Sequence, residues 1–248
     1  MFNIDKRFIY ILLGVLILST IVGYISNFDK LLIILLTLPG VIIGITFHEF
    51  AHAFAADKLG DDTPRSQGRL TLNPLAHLDP IGFILLLFAH IGWGKPVEIN
   101  PRNFNRKRSM TASEAIVSVA GPCMNIFLAI IFTIITCLIY KFAPAFYITT
   151  VGNIIMIMLN MAVIVNIGQG IFNLIPLPPL DGSKIWFNFL PYKAKSWFEK
   201  NYMIFYYTFL ALWITGLASV IISPIINGIY SGLNWLIGYK IFGISFIL

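Results

Sequence analysis

Long apolar runs decide most of what this chain can become. Phe8–Ile25, Leu31–Ala56, Ser113–Tyr140, Val151–Leu177 and Tyr202–Ile222 carry no Lys or Arg and at most one carboxylate each. Each approaches or exceeds the roughly 20 apolar residues that a helix needs to cross a bilayer. In hydrocarbon no water satisfies the backbone, so such runs must pair their N–H and C=O groups internally, as helices. Composition agrees: 58% of the residues are apolar and 11% charged, where a soluble domain is about 25% charged. That excludes an ordinary cytosolic enzyme, a disordered tail and a coiled coil. The net charge of +6 is dispersed, so no nucleic acid partner is expected; the expected surroundings are a lipid bilayer. Cys123 and Cys137 lie 14 positions apart on one expected helix, about 21 Å of rise, too far to form a disulfide.

Phe8–Ile25 follows Asp5, Lys6 and Arg7, and no small-x-small cleavage site comes after it. It reads as an uncleaved first span. Ile225–Leu248 is weakly apolar and interrupted by Gly228, Gly232, Gly238, Lys240 and Gly243, which predicts a sixth span or an interfacial hairpin. Ile81–Ile91 is too short to cross and predicts a re-entrant piece. The expected fold is an all-α polytopic membrane protein of about five to six transmembrane helices with a short re-entrant or β-hairpin element. Residues 1–248 form a single membrane-embedded domain in this reading: a core at 31–190, an N-terminal span at 1–30 and C-terminal spans at 191–248. With that assignment, 14 of the 17 Lys and Arg residues fall on one side, among them Arg106, Lys107 and Arg108. The positive-inside rule then predicts a multi-pass protein of the cell membrane with its N-terminus and basic loops towards the cytoplasm. Trp93, Trp186, Trp197 and Tyr202 fit an interfacial aromatic belt.

The second run contains His48, Glu49 and His52. An ionisable group near mid-span costs about 2.5–3.5 kcal/mol on the insertion scale, so three together require a compensating role. Their pattern is H-E-x-x-H, which random placement of so few His and Glu produces in about one such chain in a thousand. Residues i and i+4 of a helix project side by side, so His48 and His52 can hold one metal ion. Glu49 lies about 100° round the helix, placed to take a proton from a water activated by that metal. This is the chemistry of a zinc hydrolase.

Such a zinc ion usually takes three protein ligands, and the third should also come from within the bilayer. Asp181 is the candidate. It follows Pro176, Pro178 and Pro179, which stop a helix and force extended backbone; such backbone survives at membrane depth only where protein or water surrounds it. The alternative role for Asp181 is an N-cap of a short following helix. Asn160, Asn166, Gln169 and Asn173 precede it close to one helical face, which should point into the bundle. His77 sits between the turn signals Asn73-Pro74 and Asp79-Pro80 and is expected to hold a loop. His90, on the short apolar piece, is expected to be structural or interfacial.

HEFAH at 48–52 followed by NLIPLPPLDG at 173–182 resembles the site-2 protease family of intramembrane zinc metalloproteases. GRLTLNPLAHLDPIG at 68–82 and WGKPVEINPRNF at 93–104 look like its compact prokaryotic branch, and AGPCMN at 120–125 is similar to a Gly-x-x-x-Asn pattern of its third core span. The resemblance covers about residues 35–190. It implies one Zn²⁺ per chain on His48, His52 and Asp181, Glu49 as general base, and Asn125 near the active site, either steadying the oxyanion or bonding between helices. The implied partner is a membrane-anchored protein substrate, cut in or near its transmembrane segment. Some relatives carry a PDZ domain or a CBS pair; no polar stretch here is long enough for either.

Hydrolysis inside a membrane sets two further requirements. Water must reach the metal, and His52 is only four residues from the end of its run, so the site should lie one to two turns inside the cytoplasmic boundary. A helical substrate hides its carbonyls in hydrogen bonds and must unwind, and Val97–Asn100 is a strand-like piece that could pair with it. A metal transporter, or a silent relative that binds client spans, could use the same residues.

Overall fold

The computed structural model describes residues 26–89 and 94–244, together with five isolated positions between 14 and 23. The expected span Phe8–Ile25, His90 and Trp93 therefore lie outside the described residues or nearly so. The described part is helical. It comprises α1 (Phe28–Lys58), α2 (Pro80–Ala89), α3 (Met110–Phe142), α4 (Thr150–Asn173), α5 (Asp181–Phe187), α6 (Tyr192–Lys200), α7 (Tyr202–Ile214) and α8 (Leu217–Leu233). Shorter turns join them. Among the described residues four helices are long and apolar enough to cross a membrane: α1, α3, α4, and α8 with its π-helical continuation to Ile241. The protein is a multi-pass membrane protein.

The long helices start where capping side chains supply acceptors for their first free N–H groups. Asn27 Oδ1 accepts from Lys30 N–H, Ser109 Oγ from Ala112 N–H and Thr149 Oγ1 from Gly152 N–H. Helices α1, α3 and α4 pack pairwise into one bundle. Small residues make the contact close, as expected where lipid gives helices no hydrophobic reason to associate: Gly40, Gly44, Ala51, Ala53 and Ala56 are all buried on α1. Large apolar side chains instead face outward, including Phe127 and Phe142 on α3 and Val220 and Ile221 on α8. Helix α8 closes the bundle against α4, where Ile226, Ile229, Tyr230 and Leu233 pack on Ala129, Val163 and Ile167.

Two sequence expectations need correction. The run Tyr202–Ile222 is not one helix: α7 ends at Ile214, and Gly216, at φ 73°, turns the chain into α8. Only glycine takes that left-handed backbone without strain. The glycine-bearing stretch after Ile225 is neither hairpin nor separate span; it continues the helix begun at Leu217. The β-hairpin option also fails, since the described residues contain a single antiparallel bridge, Leu78 to Gly94. That bridge brings together the two ends of the excursion containing α2, so this piece leaves and returns at one end of the bundle, as a re-entrant element does.

Candidate metal centre

His48 and His52 lie one turn apart on α1, about 15 Å and 9 Å of helix from its end at Lys58. Asp181 reaches them from the start of α5, after the proline-rich segment that follows α4. It is the first residue of α5 but makes no capping bond there. Its Oδ2 lies 3.1 Å from His48 Nε2 and 3.1 Å from His52 Nε2, and the two Nε2 atoms are 3.0 Å apart. Tetrahedral zinc at about 2.0–2.1 Å from N and O ligands sets those atoms about 3.3 Å apart. The triangle has nearly the size that such an ion demands, and the three residues form a group that can hold a metal.

The hydrogen bonds around the triangle show why it calls for a cation. His52 Nδ1 sits 2.7 Å from the Val117 carbonyl, which can only accept; Nδ1 therefore carries the proton. His48 Nδ1 sits 2.6 Å from Asn125 Oδ1. That oxygen is identified by a chain of amides. Asn166 Nδ2 donates to the Gly40 and Ala162 carbonyls, which fixes Asn166 Oδ1 as an acceptor. Asn125 Nδ2 must then donate, to Asn166 Oδ1 at 3.0 Å and to the Gly44 carbonyl at 3.2 Å, with Gln169 Oε1 at 3.1 Å. Both imidazoles thus carry their proton on Nδ1, and both Nε2 lone pairs converge with a carboxylate. Without a positive charge between them these three acceptors repel. Fixing the distal ring nitrogen in this way is how metal-binding histidines are oriented.

Gly121 completes the arrangement. A methyl group there would overlap both imidazole rings. In AGPCMN, Gly121 leaves room for the two rings, and Asn125, one turn later, orients one of them. Asn125 is fully buried, with both polar atoms of its amide engaged. Asn125 makes the interhelical bonds of the second alternative, to His48 and the Gly44 carbonyl on α1 and to Asn166 and Gln169 on α4. Asn166 and Gln169 do face the bundle, as their spacing predicts.

Glu49 stands apart from the triangle. Its Oε2 accepts from Val97 N–H at 2.9 Å, so this carboxylate is held by an extended segment outside the helices. That segment is itself tied down. Lys95 N–H donates to the His77 carbonyl at 2.7 Å. Arg69, buried at 5% exposure, donates from Nη2 to the Lys95 carbonyl. Gln67 binds Glu98 at 2.7 Å, and Asp61 accepts from Asn100 N–H at 2.7 Å and from Asn103 Nδ2 at 3.0 Å. His77, fully buried, donates from Nε2 to the Thr71 carbonyl. Burial pushes its imidazole below the ordinary pKa and keeps it neutral. It holds the loop. Arg69 and Asp61 escape a sequence reading because neither sits in a spacing pattern; the one signal is an arginine amid the uncharged residues of GRLTLNP.

A membrane helix bundle with a His-His-carboxylate triangle at one end, and a glutamate beside it, defines a membrane metallohydrolase. Comparison with known proteins specifies which kind. Residues 36–216 match the family described as Peptidase family M50, and the chain belongs to that family. It is 37% identical over 190 residues to the protein named "Putative zinc metalloprotease YwhC" of Bacillus subtilis, covering 75% of this chain and 84% of that protein. Proteins named Rip2 are more distant. That of Mycolicibacterium smegmatis is 31% identical over 154 residues and that of Mycobacterium tuberculosis 30% over 156, each covering 60% of this chain and 55% of the relative. No solved structure matches. The protein is a zinc metalloprotease of the membrane, of the site-2 protease type.

Proposed function

We propose that this metalloprotease is an endopeptidase that hydrolyses peptide bonds in or near the transmembrane segments of membrane-anchored proteins, as in regulated intramembrane proteolysis. The observation that carries the reading is the triangle of bare ring nitrogens and carboxylate, one to two turns inside the end of a membrane helix, with Glu49 on the adjoining face. His48, His52 and Asp181 hold the zinc. A zinc ion held there supplies Lewis acidity, lowering the pKa of bound water to about 7 and polarising a carbonyl. Glu49 takes the proton from the attacking water and delivers it to the leaving amine, so that the C–N bond breaks to a carboxylate and an amine. His52 and His48 keep their protons on Nδ1 throughout, because Val117 and Asn125 hold them there. The basic loops and the site share one end of the bundle, which under the positive-inside rule supports an opening towards the cytoplasm.

The substrate must arrive unwound, and the extended run Val97–Asn100 offers a place for it. The Val97 N–H is taken by Glu49 and the Asn100 N–H by Asp61. Those of Glu98 and Ile99 have no partner among the described residues and can pair with a substrate strand. Ile99→Pro removes one of them and slows cleavage; unchanged cleavage overturns the strand pairing.

The deciding test for the protease reading is Glu49→Gln in the purified chain, with zinc counted and cleavage of a membrane-anchored reporter followed by gel. The expected result is full zinc and a loss of cleavage of about a thousandfold or more. Retained cleavage overturns the assignment, and zinc flux through liposomes in the same variant points to transport instead.

A further inference from the structure

We propose that the cavity at the foot of α3 binds the phosphate of an anionic phospholipid headgroup. The cavity has a volume of about 240 Å³ and is lined by the guanidinium-bearing residues Arg102, Arg106 and Arg108, with Phe104 and Met110. Among the described residues no arginine of the three makes an ion pair or a side-chain hydrogen bond. Arg65 has Asp57, by contrast, at 2.8 Å. Asp61 is enclosed by Thr63, Asn100 and Asn103, Glu98 is bound by Gln67, and Glu114, one turn into α3, makes no ion pair with these arginines among the described residues. Three like charges around one hollow repel one another and attract an anion. Guanidinium suits phosphate in particular, through paired N–H donors.

Two observations identify a lipid rather than a free ion as the source. The hollow is built on a fixed floor, since Phe104 is buried against Ala56 and Val117 and Asn100 caps the Pro101–Asn103 turn. Its other edge is Met110, half exposed and the first residue of a membrane-spanning helix. The hollow therefore lies where the span leaves the bilayer, at the level of lipid phosphates, with an apolar side chain on the hydrocarbon side. A soluble anion would have no use for that edge; an acyl chain follows it down α3. Basic residues just outside a span attract anionic headgroups. Three focused on one hollow are expected to select an anionic lipid over a zwitterionic one by about tenfold or more. This inference is independent of the protease reading.

The test is native mass spectrometry of the full chain in neutral detergent, titrated with phosphatidylglycerol or with phosphatidylcholine. The wild type is expected to retain phosphatidylglycerol about tenfold better. R102Q/R106Q/R108Q is expected to lose that preference, while K193Q/K195Q/K200Q, on the same side of the membrane but outside the hollow, keeps it. The single exchange R106Q, too mild to threaten folding, is expected to fall between. An unchanged preference in the arginine variants overturns the site, and so does equal loss in the lysine variant, which would make the attraction a diffuse one. Displacement of the lipid by millimolar inorganic phosphate would assign the hollow to a free anion and overturn the lipid.

Discussion

The proposed metal ligands and the proposed general base are held by two different kinds of structure. His48 and His52 are oriented from within the bundle, by Val117 and Asn125 on α3 and, through Asn125, by Asn166 and Gln169 on α4, and Asp181 meets both rings from the start of α5. Glu49, the neighbour of His48 in sequence, is held instead by one backbone N–H of an extended segment outside the bundle. Helices packed on small residues fix the ligands, and a loop clamped by Arg69, His77 and Asp61 fixes the base. The two supports share almost no residues. Metal binding and proton transfer should therefore fail separately.

The largest effect is expected from the triangle itself. His52→Ala or Asp181→Ala removes a ligand and leaves the remaining acceptors without their cation. Both variants are expected to purify without zinc and to show background cleavage, measured by metal analysis beside the reporter assay. A stoichiometric zinc content in either variant would show that the metal sits elsewhere.

Next comes the amide chain. Asn166→Leu touches no ligand, yet it removes one of the three acceptors that hold the Asn125 nitrogen away from His48 and so weakens the acceptor that keeps the His48 proton on Nδ1. Loss of such an outer partner costs about 10–100-fold in metal affinity or activity. The expected result is zinc that chelator strips more easily, with cleavage restored by added zinc. Cleavage that stays low in excess zinc would place the defect in the base rather than the ligands and break the separation between the two supports.

A smaller effect is expected from the clamp. Arg69→Met withdraws the guanidinium from the Lys95 carbonyl and loosens the segment that presents Val97 to Glu49. Zinc affinity should hold, kcat should fall about tenfold as the base loses its position, and KM should change little; misplacement of a catalytic group by about 1 Å costs up to about 100-fold. A parallel loss of zinc would show that the loop supports the metal as well.

The two supports also differ in how far the sequence reveals them. The bundle half is legible because helical geometry converts spacing into position. His48 and His52 must be neighbours, and the carboxamides of α4 must share a face with the site. The prolines after Asn173 announce that Asp181 sits on broken backbone. Asn125 is legible as a site residue but not in its role, because which end of an amide points where depends on acceptors from two other helices. The loop half is nearly silent. Val97 meets Glu49, Asn100 meets Asp61 and Lys95 meets Arg69 through contacts between residues 20 to 50 positions apart with no period, and a backbone N–H leaves no mark in composition. Gly216 shows the same limit in the fold: an uncharged run from Tyr202 to Ile222 looks continuous until one left-handed residue divides it.

The smallest and most selective effect concerns Asp61. Its carboxylate is fully buried. Burial alone would raise its pKa, but the donors from Thr63, Asn100 and Asn103 together outweigh burial and hold it below the ordinary carboxylate value. A carboxyl depressed in the folded state stabilises the fold at pH values above its unfolded pKa of about 3.9, and that contribution disappears as pH falls through the folded value. The segment around Asn100 should thus loosen in acid, below about pH 4, before the bundle does. Hydrogen exchange of the Asn100 amide should rise over that window in the wild type. In Asp61→Asn it should already be fast at neutral pH and change no further in acid, since a neutral amide cannot titrate and returns an N–H donor towards Thr63 and Asn103. The cost is about 1–3 kcal/mol of local stability, confined to the loop, with zinc content unaffected. Exchange that accelerates equally along α3 and α4 would mean that the strap and the bundle unfold as one unit and that the two supports are not separate.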